Sequence, residues 1–228
     1  MKILVWDLPT RLFHWLFAGS FAIAYLTAES EAFFPLHLFA GLLMLVLVGF
    51  RLVWGLTGSR YARFSSFLFS PAAGAKYVFD VLKGKARRHI GHNPAGSWAI
   101  YVLILLGAGA AASGLSLLVL GESLEDVHEA LANAMMAVVV LHLVGVAVES
   151  LVHRENLPKA MVDGYKEGET VQRIPSSRRF AGAVLLALVV GLGGVFLKGY
   201  DDVAQTLTLP LVGKTLDLAS PEGGEHHD

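Results

Sequence analysis

The stretch that decides the fold runs from His128 to His142 and reads HEALANAMMAVVVLH. Apart from one glutamate and one asparagine, the residues between the two histidines are apolar or small, as in a helix buried in a membrane. Fourteen residues make nearly four helical turns, so both imidazoles lie on one face of the helix, roughly 21 Å apart along its axis. The segment therefore carries one histidine near each end of an apolar helix.

Composition points to a membrane protein. Of the 228 residues, 54% are hydrophobic and 16% are charged, and the mean hydropathy is +0.57, whereas soluble domains carry about 25% charged residues. The net charge of −1 gives no reason to expect a nucleic-acid partner. The absence of cysteine excludes disulfides, iron–sulfur clusters and covalently attached haem. Any metal or haem is therefore held by other ligands, for which the nine histidines are the candidates.

Five stretches are long and apolar enough, or nearly so, to cross a bilayer, which takes about 20 residues. They are residues 12–28, 36–56, 97–120, 130–152 and 180–197. We therefore predict an all-α integral membrane protein, a four-helix transmembrane bundle followed by a fifth C-terminal transmembrane helix. The expected organisation is a bundle core over residues 1–157, a cytoplasmic linker over 158–179, the fifth helix over 180–198 and a periplasmic acidic tail over 199–228.

Loop charges predict the orientation. Residues 57–96 carry seven Lys or Arg and 153–179 carry six, whereas 29–35 and 121–129 carry none and have two and four acids respectively. Lys and Arg concentrate in cytoplasmic loops, so the N-terminus and both basic segments are expected in the cytoplasm of a bacterial inner (plasma) membrane. The C-terminal tail is then periplasmic. Residues 71–81 of the first basic segment predict a short interfacial helix with Tyr77 and Phe79 facing lipid.

Four histidines lie in or at the ends of these spans, where ionisable side chains are costly. In the predicted topology His14 and His142 lie toward the cytoplasm, and His37 and His128 lie toward the outer surface. Each level thus holds two histidines from two helices, which is what two bis-histidine haems b require. The alternative is that the histidines are hydrogen-bonded packing residues. On the haem interpretation the four are axial iron ligands, paired His14 with His142 and His37 with His128.

Arg51 lies fourteen positions after His37, on the same face of the second span. It is therefore expected at the depth of the cytoplasmic haem, where a haem propionate is a natural partner for a costly buried charge. The alternative is that Arg51 reaches cytoplasmic headgroups. Gly41, Gly145 and the small residues of 107–114 would allow close approach of a flat macrocycle, or ordinary helix packing.

Other polar residues leave two interpretations open. His89 and His92 either relay protons to a quinone or belong to a headgroup-binding segment. Glu149 lies on the His142 face and either handles quinone protons or marks the helix end. The acidic residues of the 121–129 loop either dock a basic cytochrome c or keep the loop free of positive charge; they are Glu122, Glu125, Asp126 and Glu129.

Several motifs carry a family resemblance. They are VWDLPTRLFHW from Val5, HLFAG from His37 through RLVWG to Gly55, GHNPAG from Gly91, and HEALAN from His128 with the later Leu141-His142. Over roughly residues 3–157 they resemble the bacterial cytochrome b561 group and the related cytochrome b subunits of nickel–iron hydrogenases. The resemblance implies that the four matching histidines ligate two haems b in a four-helix bundle. The fifth span and the tail depart from the shortest members, which end after four helices.

We therefore predict a di-haem b-type cytochrome that transfers electrons between the quinone/quinol pool and a redox partner, a periplasmic cytochrome c or an oxidoreductase subunit. One alternative on the same fold is a superoxide-oxidising ubiquinone reductase, although acidic external loops do not attract an anion. The other alternative is a histidine-based metal transporter, which predicts a colourless protein. A reduced-minus-oxidised visible spectrum separates haem from metal.

Overall fold

The computed structural model describes residues 1–120, 122–201, 206–209 and 214–217. Seven helices account for most of these residues, which confirms a mostly helical protein. They are α1 (Leu8–Thr27), α2 (Phe34–Thr57), α3 (Pro71–Leu82), α4 (Pro94–Leu120), α5 (Glu125–Val152), α6 (Leu157–Asp163) and α7 (Arg179–Gly199). Short 3₁₀ helices lie at Glu31–Phe33, Phe64–Ser66, Glu122–Leu124 and Thr170–Gln172.

Four candidate membrane-spanning helices are long and apolar enough to cross a bilayer. These segments are Glu31–Thr57, Pro94–Leu118, Glu125–Val152 and Arg179–Gly199. Helix α1, which covers most of the predicted first span, is not among them. Arg11 and His14 lower its mean hydropathy. Its 20 residues correspond to about 30 Å of helix. A multi-pass membrane protein is confirmed, whereas a count of five spans remains a prediction.

The core lies where α1, α2, α4 and α7 meet. Phe13, Phe17 and Phe21 recur at helical spacing along α1 and pack with Met44 and Leu47 of α2. Helix α5 packs mainly on α4, and much of its remaining surface is exposed. The face of α5 that bears His128 and His142 is directed toward α1 and α2, as the contacts described below show.

One end of the bundle gathers the basic segments, and we call it the basic end; it comprises residues 1–7, 58–93 and 153–178. A short antiparallel sheet forms there between β1 (Lys2–Leu4) and β2 (Tyr165–Glu167), with Leu4 opposite Tyr165. The Tyr61 hydroxyl donates a hydrogen bond to the carbonyl of Gln172 at 2.8 Å. The chain's beginning and both basic segments are therefore tied together at the end predicted to be cytoplasmic.

The opposite end, which we call the acidic end, comprises residues 28–33 and 122–129 and the strands that follow α7. These strands are β3 (Tyr200–Asp201), β4 (Thr206–Leu209) and β5 (Lys214–Asp217), paired antiparallel in that order. Leu207 is 1% exposed and packs with Leu38 and Phe196. Strands were not predicted in this tail, and the rest of it, including its last residues 218–228, lies outside the described ranges.

Helix α3 is the predicted interfacial helix, but one of its two aromatic residues was assigned to the wrong environment. Phe79 is exposed, as expected for a lipid-facing residue, whereas Tyr77 is only 6% exposed. Tyr77 is directed into the protein because its hydroxyl donates a hydrogen bond to a carboxylate of α5.

Candidate functional site

At the acidic end the structure brings His37 of α2 against His128 of α5. The two ring centroids are 6.0 Å apart and the ring planes are inclined at 77°. Because a metal–imidazole nitrogen bond is about 2 Å long, two imidazoles on opposite sides of one metal ion have centroids roughly 6 Å apart. The pair predicted from sequence therefore meets at a separation that suits a shared metal.

Hydrogen bonds fix the tautomer of both rings. Nδ1 of His37 lies 2.8 Å from the carbonyl oxygen of Ala24, and Nδ1 of His128 lies 2.9 Å from that of Ala110 and 3.2 Å from Ser113 Oγ. A carbonyl only accepts, so each Nδ1 carries the proton and each Nε2 keeps its lone pair. Metal-ligating histidines have this arrangement, in which the second nitrogen donates to a carbonyl.

Gly114 allows His128 to lie against α4. A Cβ atom at this position would lie 2.8 Å from Cε1 and 3.1 Å from Nδ1 of the imidazole, closer than side chains tolerate. By contrast, a Cβ at Gly41, one turn after His37, would meet no atom within 4 Å among the described residues. The small residue on α4 thus sets the position of the ring, and the helix surface beyond His37 is open to a bulky group.

The second predicted pair, His14 and His142, belongs to the basic half of the bundle. The two side chains lie close enough across α1 and α5 that their imidazoles would repel each other if both were protonated. Nδ1 of His14 is buried and has no hydrogen-bond partner among the described residues. Three residues beyond His142, a Cβ at Gly145 would meet no described atom within 4 Å. The structure thus places this pair near each other, with an unpartnered polar atom and open helix surface beside it.

Arg51 is buried rather than extended toward lipid headgroups. Arg51 is 3% exposed. Its guanidinium carbon lies 4.6 Å from the centroid of the Phe64 ring and 5.9 Å from that of the Phe13 ring. Nη1 of Arg51 is buried and finds no hydrogen-bond partner within the described ranges. This environment favours the interpretation that Arg51 pairs with a buried anion over the interpretation that it reaches headgroups.

Asp7, the acid of the N-terminal motif, is already engaged. Its side chain accepts the backbone N–H of Thr10 at 2.8 Å, which caps α1, and the indole N–H of Trp54 at 3.2 Å. It is fully buried and interacts electrostatically with Arg51, with which it forms no ion pair within 4 Å. Asp7 therefore fixes the start of α1 against the end of α2, and the guanidinium of Arg51 has no direct anionic partner among the described residues.

His92 has an environment that the sequence did not reveal. Its ring lies between Trp6 and Phe67, with centroid separations of 4.7 and 4.3 Å. Nδ1 is buried and has no hydrogen-bond partner in the part of the chain that the structure describes. Burial, followed by the positive charges of Arg51 and Lys166, lowers the pKa of His92 to about 3. This environment favours a neutral imidazole packed among aromatic rings over the headgroup-binding interpretation.

Glu149 lies in a hydrogen-bonded group that joins α3 to the end of α5. The Tyr77 hydroxyl donates to Glu149 Oε1 at 2.5 Å, and His153 Nε2 lies 3.5 Å from Glu149 Oε2. Burial and the neighbouring carboxylate raise the pKa of the Tyr77 hydroxyl, so that hydroxyl stays a donor. The ring of His89 packs edge-on against Tyr77 at 5.3 Å. The sequence had indicated Glu149 but gave no sign of Tyr77 as its partner.

These residues fit a haem at each level. At the acidic end both imidazoles place Nδ1 on a backbone carbonyl, and their ring centroids are 6.0 Å apart. In the basic half, His14 and His142 form the second pair. His14, Arg51 and His92 each have a buried polar atom without a partner among the described residues. Among the described residues, no group of three or more His, Asp or Glu side chains could hold a metal ion. The structure therefore brings these histidines together as pairs.

Paired histidines from separate helices of a multi-pass bundle are the arrangement of a membrane b-type cytochrome. The model of the prokaryotic cytochrome b561 family matches residues 5–164, and the chain belongs to this family. It is 22% identical to a protein of Rhodobacter capsulatus named "Probable Ni/Fe-hydrogenase B-type cytochrome subunit", over 72% of this chain and 81% of that protein. No solved structure matches the chain. The family implies b-type haem, electron transfer and a redox partner.

Proposed function

We propose that the protein is a di-haem cytochrome b that transfers electrons between the quinone/quinol pool and a redox partner. The observation that carries this proposal is the contact of His37 with His128, together with a second pair, His14 and His142, in the other half of the same bundle. Two levels of paired histidines suit electron transfer across the membrane rather than at one surface.

The proposed ligand roles follow from the proton positions. His37 and His128 donate Nδ1–H to backbone carbonyls and so offer Nε2 to iron. Two histidines fill both axial positions of a haem, which then exchanges electrons without binding oxygen. Arg51, buried and without an ion-pair partner among the described residues, would hold a propionate of the haem on His14 and His142.

Protons accompany electrons when a quinone is reduced or a quinol oxidised. Glu149 lies about two turns beyond His142 on α5, and its neighbours at the basic end are Tyr77 of α3 and His153. We assign quinone exchange to this end, with Glu149 as the group that accepts or supplies the proton. The carboxylate suits this role because Tyr77 donates to one of its oxygens and the imidazole of His153 lies 3.5 Å from the other.

In the orientation we propose, five helices cross the bacterial inner membrane, with the N-terminus and basic end in the cytoplasm. The acidic end then faces the periplasm, where Glu125, Asp126 and Glu129 would attract a basic cytochrome c or an oxidoreductase subunit. The name of the Rhodobacter capsulatus relative supports the second kind of partner. A periplasm-dependent reporter should be active when fused after Asp228 and silent when fused near residue 165.

Quinol-driven haem reduction tests this function. The purified protein should show a b-type reduced-minus-oxidised spectrum, and a quinol analogue should reduce both haems anaerobically. Superoxide as electron donor is the matched comparison for the alternative enzyme, and the proposal expects it to be the poorer donor because the acidic end repels an anion. Haem that no quinol reduces would contradict the quinone assignment, and a colourless protein would contradict the cytochrome itself.

A further inference from the structure

Unpartnered buried polar atoms cluster in the basic half of the bundle. Nδ1 of His14, Nη1 of Arg51 and Nδ1 of His92 are all buried and have no hydrogen-bond partner among the described residues. Each such atom costs free energy unless a partner satisfies it. The function proposed above gives Arg51 a propionate partner and makes His14 an iron ligand, whereas it gives His92 no role.

His92 and Arg51 both lie against the ring of Phe67. The Phe67 ring lies 4.3 Å from the imidazole of His92 and 6.0 Å from the guanidinium carbon of Arg51, measured to ring centroids. His92 also interacts electrostatically with Arg51 and with His142. The imidazole is therefore located beside the buried arginine and on the side of the bundle that holds the second histidine pair.

The buried guanidinium of Arg51 needs a hydrogen-bond acceptor that the described residues do not supply. Arg51 is 3% exposed and belongs to none of the ion pairs found in the described part of the chain. The nearby carboxylate of Asp7 already accepts hydrogen bonds from Thr10 and Trp54. A buried N–H group without an acceptor is unfavourable, so a carboxylate brought by a bound group would satisfy Nη1 of Arg51.

We propose that His92 is a second hydrogen-bond donor, beside Arg51, to a propionate carboxylate of the haem held by His14 and His142. This inference rests on the di-haem function proposed above. An imidazole has one N–H when neutral, and the unpartnered Nδ1 is the atom that would carry it. The Trp6 and Phe67 rings that pack against His92 orient the imidazole. His92 is thus a cofactor-positioning residue that does not ligate the iron.

A purely structural role predicts different behaviour. If His92 served only to fill the space between Trp6 and Phe67, phenylalanine would replace it with little consequence for the haem. If its N–H binds the propionate, phenylalanine removes the donor while asparagine keeps one. The comparison of His92→Phe with His92→Asn therefore separates packing from hydrogen bonding.

The experiment uses the full-length, haem-loaded protein in detergent. The propionate bending bands are recorded by resonance Raman spectroscopy, and the midpoint potential of each haem is measured by potentiometric titration. The haem that is lost in His14→Ala identifies the one in question. The control is His89→Phe, since Nδ1 of His89 already donates to the carbonyl of Arg87 at 2.9 Å.

We expect His92→Phe to shift the propionate band and to lower the midpoint potential of this haem alone, because a less satisfied carboxylate places more negative charge near the iron. His92→Asn should lie closer to the unmodified protein, and His89→Phe should match it. Loss of this haem in His92→Phe with retention in His92→Asn would also support the inference.

Unchanged bands and potentials in His92→Phe would overturn the inference. Equal behaviour of the phenylalanine and asparagine variants, including equal loss of the haem, would also overturn it, since packing alone would then explain the effect. If the unmodified protein bound no haem, the di-haem function itself would fail, and the two failures are thereby distinguished.

Discussion

The imidazole of His37 lies against that of His128, with 6.0 Å between centroids, although two further helices separate α2 from α5 in the chain. Each ring is turned so that Nδ1 donates to a carbonyl, from Ala24 and Ala110 respectively. These two hydrogen bonds to backbone carbonyls orient the rings. Among the described residues, no charged side chain takes part in them. The acidic-end pair is therefore organised by the polypeptide itself.

Removing either ring should remove one haem and spare the other. His37→Ala and His128→Ala are each expected to lose the acidic-end haem. Both variants should keep the haem on His14 and His142, because neither substitution removes an axial ligand of that haem. Haem content and low-temperature spectra measure this, with His89→Ala as the control. The assigned pairing would be wrong if His37→Ala removed the same haem as His142→Ala.

Gly114→Ala should weaken binding of the acidic-end haem, although the substitution replaces no iron ligand. The new Cβ would lie 2.8 Å from the His128 ring, so the ring must shift and its hydrogen bond to Ala110 must lengthen. Loss of such a supporting bond typically lowers metal affinity about 10–100-fold. Haem titration of the variant measures this decrease.

Gly109→Ala is the matched control on the same helix, since its nearest neighbour is the flexible Leu131 side chain at 3.3 Å. Haem affinity should stay close to that of the unmodified protein. Equal affinity losses in the two variants would mean that α4 packing, and not the position of His128, limits haem binding.

Six of the seven helices were predictable because each carries its own signal, whereas α6 (Leu157–Asp163) lies almost wholly in the stretch predicted as a linker. The apolar run between His128 and His142 lies within α5, and their shared face follows from helical periodicity alone. The depth pairing of the four histidines also needed only the loop charges. The meeting of His37 with His128 in the structure is consistent with the predicted pairing.

Other features depend on contacts that no local pattern records. Strand β1 pairs with β2 across most of the chain, and three-residue strands are too short to show an alternating pattern. Tyr77 appears lipid-facing on a helical projection, but it bonds to Glu149 from another helix. His92 reads as part of a basic segment, and only its position between Trp6 and Phe67 distinguishes it.

Arg51→Gln should lower the midpoint potential of the basic-end haem. A positive charge favours the reduced haem, and a unit charge roughly 8 Å away contributes on the order of 2 kcal/mol at an effective dielectric of ~20. Pairing with a propionate reduces this, so the expected shift is on the order of tens of millivolts. Potentiometric titration of both haems measures it, with the exposed Arg60→Gln as the control. Equal shifts of both haems, or none, would exclude a local role for Arg51.

Glu155→Gln should destabilise the basic end. Lys166 is 5% exposed and lies 3.3 Å from Glu155, which also pairs with Arg88 at 2.9 Å. Removing the partner of a buried charge costs about 3–5 kcal/mol. Thermal unfolding of the detergent-solubilised protein measures the loss, and Glu29→Gln on the exposed acidic end is the control.

This loss of stability should shrink at alkaline pH. Burial lowers the pKa of Lys166 below its ordinary value of 10.5. In the variant, the penalty of a buried unpaired ammonium is full below the folded-state pKa and is relieved as pH rises through that pKa toward 10.5. A stability difference that stayed constant with pH up to that range would show that Lys166 is not the residue left unpaired.

Haem stoichiometry tests the central claim most directly. Two levels of paired histidines predict two haems b for each chain. A pyridine haemochromogen assay on purified protein, with the protein concentration determined by amino-acid analysis, should therefore give a ratio of two. A ratio of one would mean that one histidine pair is structural, and a ratio near zero would contradict the account as a whole.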